Sequence, residues 1–246
     1  GGVYALTIPK APYRCPPGPY ERASMIAHYF KTKKPKSKVL ILDANEDVVS
    51  KKGLFVKAWE DLYKGTLEYR PNSELRDVDV ASRTAILEFD KVKVDVLNVV
   101  PPQRAGALVA QSGAKLANGR WAEIDWTSME SVNAKGIHIL GDSTLSAPLM
   151  PKSGFMANQH GKTAAAGILN LLAGNAPSAD VMMTNTCYSF VDARNAIHVA
   201  SVHKYDTEKK TMVTIQGSGG VSAARNEMEA GFALGWAKNI WADMLA

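Results

Sequence analysis

Tyr13-Arg14-Cys15-Pro16-Pro17-Gly18-Pro19-Tyr20-Glu21-Arg22-Ala23 is the stretch on which the reading of this chain turns. An apolar run from Val3 to Ile8 precedes it and reads as a strand. A helical pattern follows, carrying Ala23, Met25, Ile26, Ala27, Tyr29 and Phe30, and a second apolar run, Lys38 to Asp43, ends in an acid. Strand, turn, helix and strand ending in an acid is the order of a βαβ dinucleotide-binding unit. The turn, however, has a cysteine and three prolines in place of Gly-x-Gly-x-x-Gly. Proline offers a phosphate no N–H. This is a nucleotide fold whose mouth is rebuilt around a thiol. Asp43, placed where a ribose-binding acid would sit, then reads as structural.

Working outward, a helix is expected over Gly53 to Tyr63 and a short strand over Thr66 to Tyr69. Two alternating strands, Thr84 to Phe89 and Val92 to Val100, follow, with a turn at Asp90-Lys91. Pro101-Pro102 stops the second of them and marks a first boundary. Gly136-Ile137-His138-Ile139-Leu140-Gly141-Asp142 reads as a strand delivering an acid into a loop. There Asp142 can hold a sugar-alcohol hydroxyl while Gly141 permits close approach. Met150 to Gln159 opens a small-residue helix that runs to Gly174, so its first N–H groups and Lys152 face any anion bound there. Three strands are expected over Cys187 to Val191, Ala196 to His203 and Thr211 to Gln216. A final helix, Arg225 to Leu245, carries Met228, Phe232, Trp236, Ile240 and Met244 at fourfold spacing, with Trp241 on an adjacent stripe. Such a stripe packs against a core in most proteins, and it also suits a surface that meets a cofactor or partner.

The 246 residues are 46% hydrophobic, enough for more than one core. A net charge of +5 without a basic stripe interleaved with aromatics gives no reason to expect nucleic-acid binding. No apolar run approaches the roughly 20 residues that cross a bilayer, so no membrane span is expected. The only cysteines are Cys15 and Cys187. Neither lies in a Cys-x-x-Cys, so this chain attaches no c-type haem, and the spacing fits no zinc site. The residues alone leave two readings of the pair open. They are two buried thiols, or a disulfide closing a loop long enough to stabilise by about 4–5 kcal/mol in the entropic account. His198 and His203 fall five apart on one expected strand and face opposite sides, and all five histidines read as structural or surface residues.

Cys15-Pro16-Pro17-Gly18-Pro19-Tyr20-Glu21 resembles the active-site segment of the flavoprotein subunit of flavocytochrome c sulfide dehydrogenase, a relative of the sulfide:quinone oxidoreductases. Further similarities follow in order: Val94 to Pro102, the Gly141-Asp142 segment, Met150 to Gln159, and Asn185-Thr186-Cys187-Tyr188-Ser189. The resemblance implies an α/β, Rossmann-like, two-dinucleotide-domain flavoprotein of glutathione-reductase type with a small α+β carboxy-terminal domain. Residues 1–100 would be the second dinucleotide-type domain, 101–176 the returning part of the FAD domain and 177–246 the carboxy-terminal interface domain. The family opens with its own strand and Gly-x-Gly-x-x-Gly for FAD, which does not precede Cys15. The expectation is therefore a carboxy-terminal portion whose amino-terminal FAD half is missing and counts among its partners.

By the same resemblance, Cys15 and Cys187 form a redox-active disulfide and Glu21 is the base that manages the substrate proton. Sulfide attacks one sulfur, leaving a persulfide, and frees the other cysteine as a thiolate beside FAD. Gly141, Asp142, Lys152, Ser153, Gly154 and Trp241 would bind that FAD. Electrons would pass to a cytochrome c subunit that carries the haem, in the periplasm, with sulfur or polysulfide as product. Three rivals stand beside this reading. A sulfide:quinone oxidoreductase would want a more apolar carboxy terminus. An NAD(P)H-dependent disulfide reductase is disfavoured by the prolines. A non-catalytic scaffold would hold no flavin.

Overall fold

The computed structural model describes residues 1–245. In its first part, β1 (Val3–Ile8), β2 (Lys38–Asp43), β3 (Leu67–Arg70) and β7 (Val96–Val99) form a parallel sheet in the order β3-β2-β1-β7. Two helices, α1 (Gly18–Lys33) and α2 (Lys52–Leu62), connect its first three strands. Strand alternation sorts the apolar residues. Leu6, Ile8, Val39 and Ile41 join Tyr20, Ala23, Phe55 and Trp59 in the core under the helices. Ala5, Leu40 and Leu42 pack instead against Ala85, Leu87 and Val94. That second core belongs to an antiparallel meander of β4 (Leu75–Asp79), β5 (Thr84–Leu87) and β6 (Lys91–Lys93).

The meander corrects the expectation of one strand from Val92 to Val100. That run is two strands in two sheets, β6 on β5 and β7 on β1. The chain changes sheet at Val94-Asp95, where the Asp95 carboxylate accepts the Val3 N–H at 2.7 Å. β4 was not expected; its exposed and half-buried residues carry little apolar signal.

The remaining elements are α3 (Ala107–Gln111), the short pair β8 (Leu116–Ala117) and β9 (Trp121–Ala122), a 3-10 turn (Gly141–Ser143) and α4 (Gly154–Leu172). After them come β10 (Met182–Phe190), β11 (Ala196–Asp206), β12 (Thr211–Thr214), β13 (Gly220–Val221) and α5 (Glu227–Leu245). β10, β11 and β12 are neighbours in that order, and β13 pairs with β11. The chain divides into two units. The first holds residues 1–102, 188–198 and 221–236; the second holds 103–187, 199–220 and Ala237 onward. The second unit has its own methionine-rich core, with Met129, Met150, Met156, Met183 and Met212 around Trp126 and Ile139. Gly167 lets α4 approach Ser128 closely: a Cβ there would lie 2.6 Å from Ser128 Cα.

Two further expectations need correction. Residues 136–142 do not form a strand; a single bridge joins His138 to Glu130 before the 3-10 turn. Only Ile139 of its apolar residues is buried, while Ile137 and Leu140 are exposed, so the run lacks a face to pair. The core reading of the last helix also fails. Met228, Phe232 and Met244 of the stripe, with Trp241, are more than half exposed, and the buried face of α5 is Glu229, Ala230 and Ala233. Glu229 is held there by Ser222 Oγ (2.6 Å), His198 Nδ1 (2.9 Å) and Asn226 Nδ2 (3.0 Å). These bonds hold its carboxyl below the usual range, although burial opposes them.

Candidate functional site

In the first unit, the sulfur-bearing turn hangs from Asp43. This fully buried acid accepts Tyr20 OH (2.7 Å) and Tyr69 OH (3.1 Å) on Oδ2, and the Asn45 N–H (2.9 Å) and Nδ2 (2.7 Å) on Oδ1. Asn45 in turn accepts the Ala11 N–H at 2.9 Å and donates to Pro9 O at 3.1 Å, which fixes the start of the turn. Tyr13 donates to Pro16 O at 3.1 Å. Burial raises the phenols of Tyr13, Tyr20 and Tyr69 far above their ordinary value, so all three remain donors.

Cys15 itself is exposed and left-handed, with φ of 53°. A non-glycine residue in that region carries on the order of 1 kcal/mol of strain or more. Its carbonyl accepts the Gly18 N–H at 2.9 Å, closing the turn that starts α1. Gly18 also leaves room for the sulfur, since a Cβ there would lie 2.9 Å from Cys15 Sγ.

Glu21, in the first turn of α1, accepts the Phe190 N–H at 2.7 Å. Burial pushes its carboxyl above the usual range, opposed by that N–H and by the charge of Lys51. Lys51 is buried, left-handed at φ 51°, and donates to Ser189 Oγ at 2.8 Å. Tyr63 OH donates to Val191 O at 2.5 Å. Three consecutive residues, 189 to 191, are thus gripped by one side chain of α1 and by the two residues that flank α2.

The second unit holds Cys187, half-buried on β10. Its Sγ lies 3.4 Å from Nδ2 and 3.6 Å from Oδ1 of Asn185. Asn185 Oδ1 accepts Ser153 Oγ–H at 2.5 Å, and Ser153 Oγ accepts the Met156 N–H at 3.1 Å as the N-cap of α4. Cys187, Asn185, Ser153 and the head of α4 therefore form one hydrogen-bonded chain, with half-buried Lys152 immediately before it.

The 3-10 turn reaches the same helix. Gly141, at φ +64°, donates its N–H to His160 Nδ1 at 3.0 Å, and a Cβ there would crowd Ala157 Cβ at 3.1 Å. That bond places the proton of the buried ring on Nε2, which has no hydrogen-bond partner, and the ring meets that of Trp126 edge-on, centroids 5.6 Å apart. Burial lowers His160 to about 4, so it is a neutral ring. Asp142 is exposed at the turn. Trp241 is 61% exposed on α5, whose Asp243 binds Asn158 (2.7 Å) and Lys162 (3.1 Å) of α4.

The structure thus brings Gly141, Ser153, Gly154 and Cys187 to the first half of α4, and puts Cys15 and Glu21 in the other unit. Sequence reasoning did not single out the side chains of Asn185, Lys51 and His160, because each meets a partner from a segment distant in the chain. No group of three or more His, Cys, Asp or Glu able to hold a metal occurs among the described residues. Nor, among them, is any helix long and apolar enough to cross a membrane.

Two family models match the chain. Residues 1–101 match the central part of the sulfide dehydrogenase [flavocytochrome c] flavoprotein chain, and 179–245 match the flavin-binding part of flavocytochrome c sulphide dehydrogenase. Among solved structures, a chain of the Tetrahymena thermophila mitochondrial ATP synthase aligns with a TM-score of 0.60 and 18% identity, over 81% of this chain and 50% of its own. The HOCl-induced flavoprotein disulfide reductase RclA of Escherichia coli, in its Cu(II) complex, gives 0.56 and 16%, over 85% and 44%. The NAD-dependent persulfide reductase of A. fulgidus gives 0.53 and 15%, over 85% and 38%. The chain spans half or less of the length of these proteins, and at such identities they show a shared fold, the two-dinucleotide-domain α/β architecture. Both family models bear on the function, and together they cover about two thirds of the residues. The chain belongs to the flavoprotein family of flavocytochrome c sulfide dehydrogenase.

Proposed function

We propose that this chain is part of a flavin-dependent sulfide dehydrogenase in which Cys15 and Cys187 are the redox pair. The observation that carries the reading is the chain Cys187–Asn185–Ser153–α4, which ties one sulfur to the head of a helix suited to a flavin. Several features fit that cofactor. Gly141 lies tight against α4, Asp142 presents an exposed carboxylate for hydroxyls, and the first N–H groups of α4 with Lys152 suit negative charge on a reduced ring. The partnerless Nε2–H of His160 is a further donor beside that turn. FAD bound there supplies the two-electron acceptor.

The protein's own residues then act as follows. HS⁻ attacks one sulfur of the Cys15–Cys187 disulfide; an S–S bond forms to the substrate as the cysteine–cysteine bond breaks, and the second cysteine leaves with the electron pair as a thiolate. Glu21, held above the usual carboxyl range by burial, takes the proton of the S–SH group so formed. We read residues 1–100, 101–176 and 177–246 as the dinucleotide-type domain, the returning FAD segment and the interface domain. The acceptor beyond the flavin is a haem-bearing cytochrome c subunit in the periplasm, with Trp241 near the flavin.

The test is a visible spectrum of the purified flavoprotein before and after anaerobic sulfide. Bleaching of the flavin band, abolished in Cys15→Ser and in Cys187→Ser, is the expected result. A flavin band untouched by sulfide, or bleached equally in both variants, overturns the reading. The exposed apolar side chains of α5, Phe232, Leu234, Trp241 and Leu245 among them, favour a second reading of the acceptor as a membrane quinone. Reduction of cytochrome c rather than a soluble quinone analogue decides between the two.

A further inference from the structure

Asn185 is 2% exposed and lies two residues ahead of Cys187 on β10, so strand alternation puts both side chains on one face. The amide is pinned from its far side. Ser153 Oγ already accepts the Met156 N–H, which leaves its hydroxyl hydrogen for Asn185 Oδ1 at 2.5 Å. With Oδ1 engaged by that hydroxyl, Nδ2 is the amide atom nearest the sulfur, 3.4 Å against 3.6 Å. One carboxamide therefore offers Sγ both an acceptor, which a thiol S–H needs, and a donor, which a thiolate needs. Turned over, it would set its oxygen, not its Nδ2–H, nearest the sulfur.

We propose that Asn185 is a positioning residue for Cys187, its Nδ2–H stabilising the thiolate that forms when the disulfide opens, with Ser153 at the head of α4 fixing the amide. This rests on the reading of Cys187 as a redox-active sulfur. It also gives thiol–disulfide exchange a direction. The better-stabilised thiolate is the better leaving group, so HS⁻ bonds to the exposed Sγ of Cys15 and Cys187 departs with the electron pair.

The test needs neither flavin turnover nor sulfide. Reduced protein is treated with iodoacetamide at about pH 7 and about pH 10, and alkylation of each cysteine-bearing peptide is followed by mass spectrometry. The ratio of the two rates reports the thiolate fraction, because access to the sulfur cancels. Asn185→Ala is expected to lower the Cys187 ratio about tenfold, the loss of one hydrogen bond to a charged group. Asn185→Asp keeps the shape and the acceptor for Ser153 but sets an anion against the sulfur, and lowers the ratio further. Cys15, in the same samples, keeps its ratio. Should Asn185→Ala not fold, Asn185→Asp and Ser153→Ala carry the test through the same ratio.

Unchanged Cys187 ratios in folded Asn185→Asp and Ser153→Ala overturn the inference, and a purely structural Asn185 gives that result. The underlying reading fails separately. In that case the ratios fall as described, yet sulfide leaves the flavin of the parent protein unbleached.

Discussion

Cys15 and Cys187 are placed by different means. Cys15 is exposed, on a left-handed residue of a turn built from three prolines. Cys187 is half-buried on a regular strand, and an asparagine anchored to a helix cap sets its surroundings. One buried group in each unit, Glu21 and His160, also answers pH with opposite sign. Glu21 has a raised folded value, so its contribution to stability is full below the ordinary carboxyl range and is lost as pH rises through the folded value. His160 has a folded value of about 4, below its ordinary 6.5, so its contribution is full above the ordinary value and is lost as pH falls from there to about 4.

The comparison breaks most visibly at Asp43. Asp43→Ala removes the acceptor of two phenols and of the Asn45 N–H and Nδ2, and costs about 3 kcal/mol or more. Urea melts should show that loss, with faster alkylation of Cys15 and unchanged alkylation of Cys187; equal changes at both sulfurs would erase the distinction. Next comes His160→Gln, which removes a contribution of roughly 3 kcal/mol between its folded and ordinary values. Denaturant midpoints compared at about pH 5 and pH 7.5 should converge in the variant and differ in the parent.

Lys51→Met sharpens the other side. It takes away the charge facing Glu21, so the carboxyl should titrate higher by ¹³C NMR, while Lys51→Arg restores it; an unmoved Glu21 signal would show that Lys51 does not reach it. The smallest effect is expected of Gly18→Ala. Its methyl crowds the Cys15 sulfur and should slow alkylation there a few-fold, with stability changed by about 1 kcal/mol or less.

The parallel sheet, both of its helices, β10 to β12 and the last two long helices were legible because each carries its own periodicity. The run from Val92 to Val100 was misread because alternation persists across the point where Asp95 hands the chain to another sheet. Residues 136–142 were misread because apolar content without a pairing face resembles a strand. At the candidate site, Cys15, Glu21, Ser153 and Cys187 stand out as residue types in a recognisable order. Lys51, Asn185 and His160 do not, since their meaning lies in partners 138, 32 and 19 residues away. The left-handed backbone of Cys15 carries no sequence signal, because glycine, its usual mark, is absent.

Asp43 also bears on how such a domain could be re-engineered. Its two oxygens accept four hydrogen bonds, which is every lone pair that a carboxylate offers in its plane. Grafting a glycine-rich loop back into residues 9–18 would restore donors for a pyrophosphate and still leave no acceptor for the ribose. A designer seeking a pyridine-nucleotide enzyme from this scaffold must first release the acid, by Tyr20→Phe and Tyr69→Phe together. Those are the phenols that brace the cysteine turn, so coenzyme recognition and thiol placement compete for one side chain.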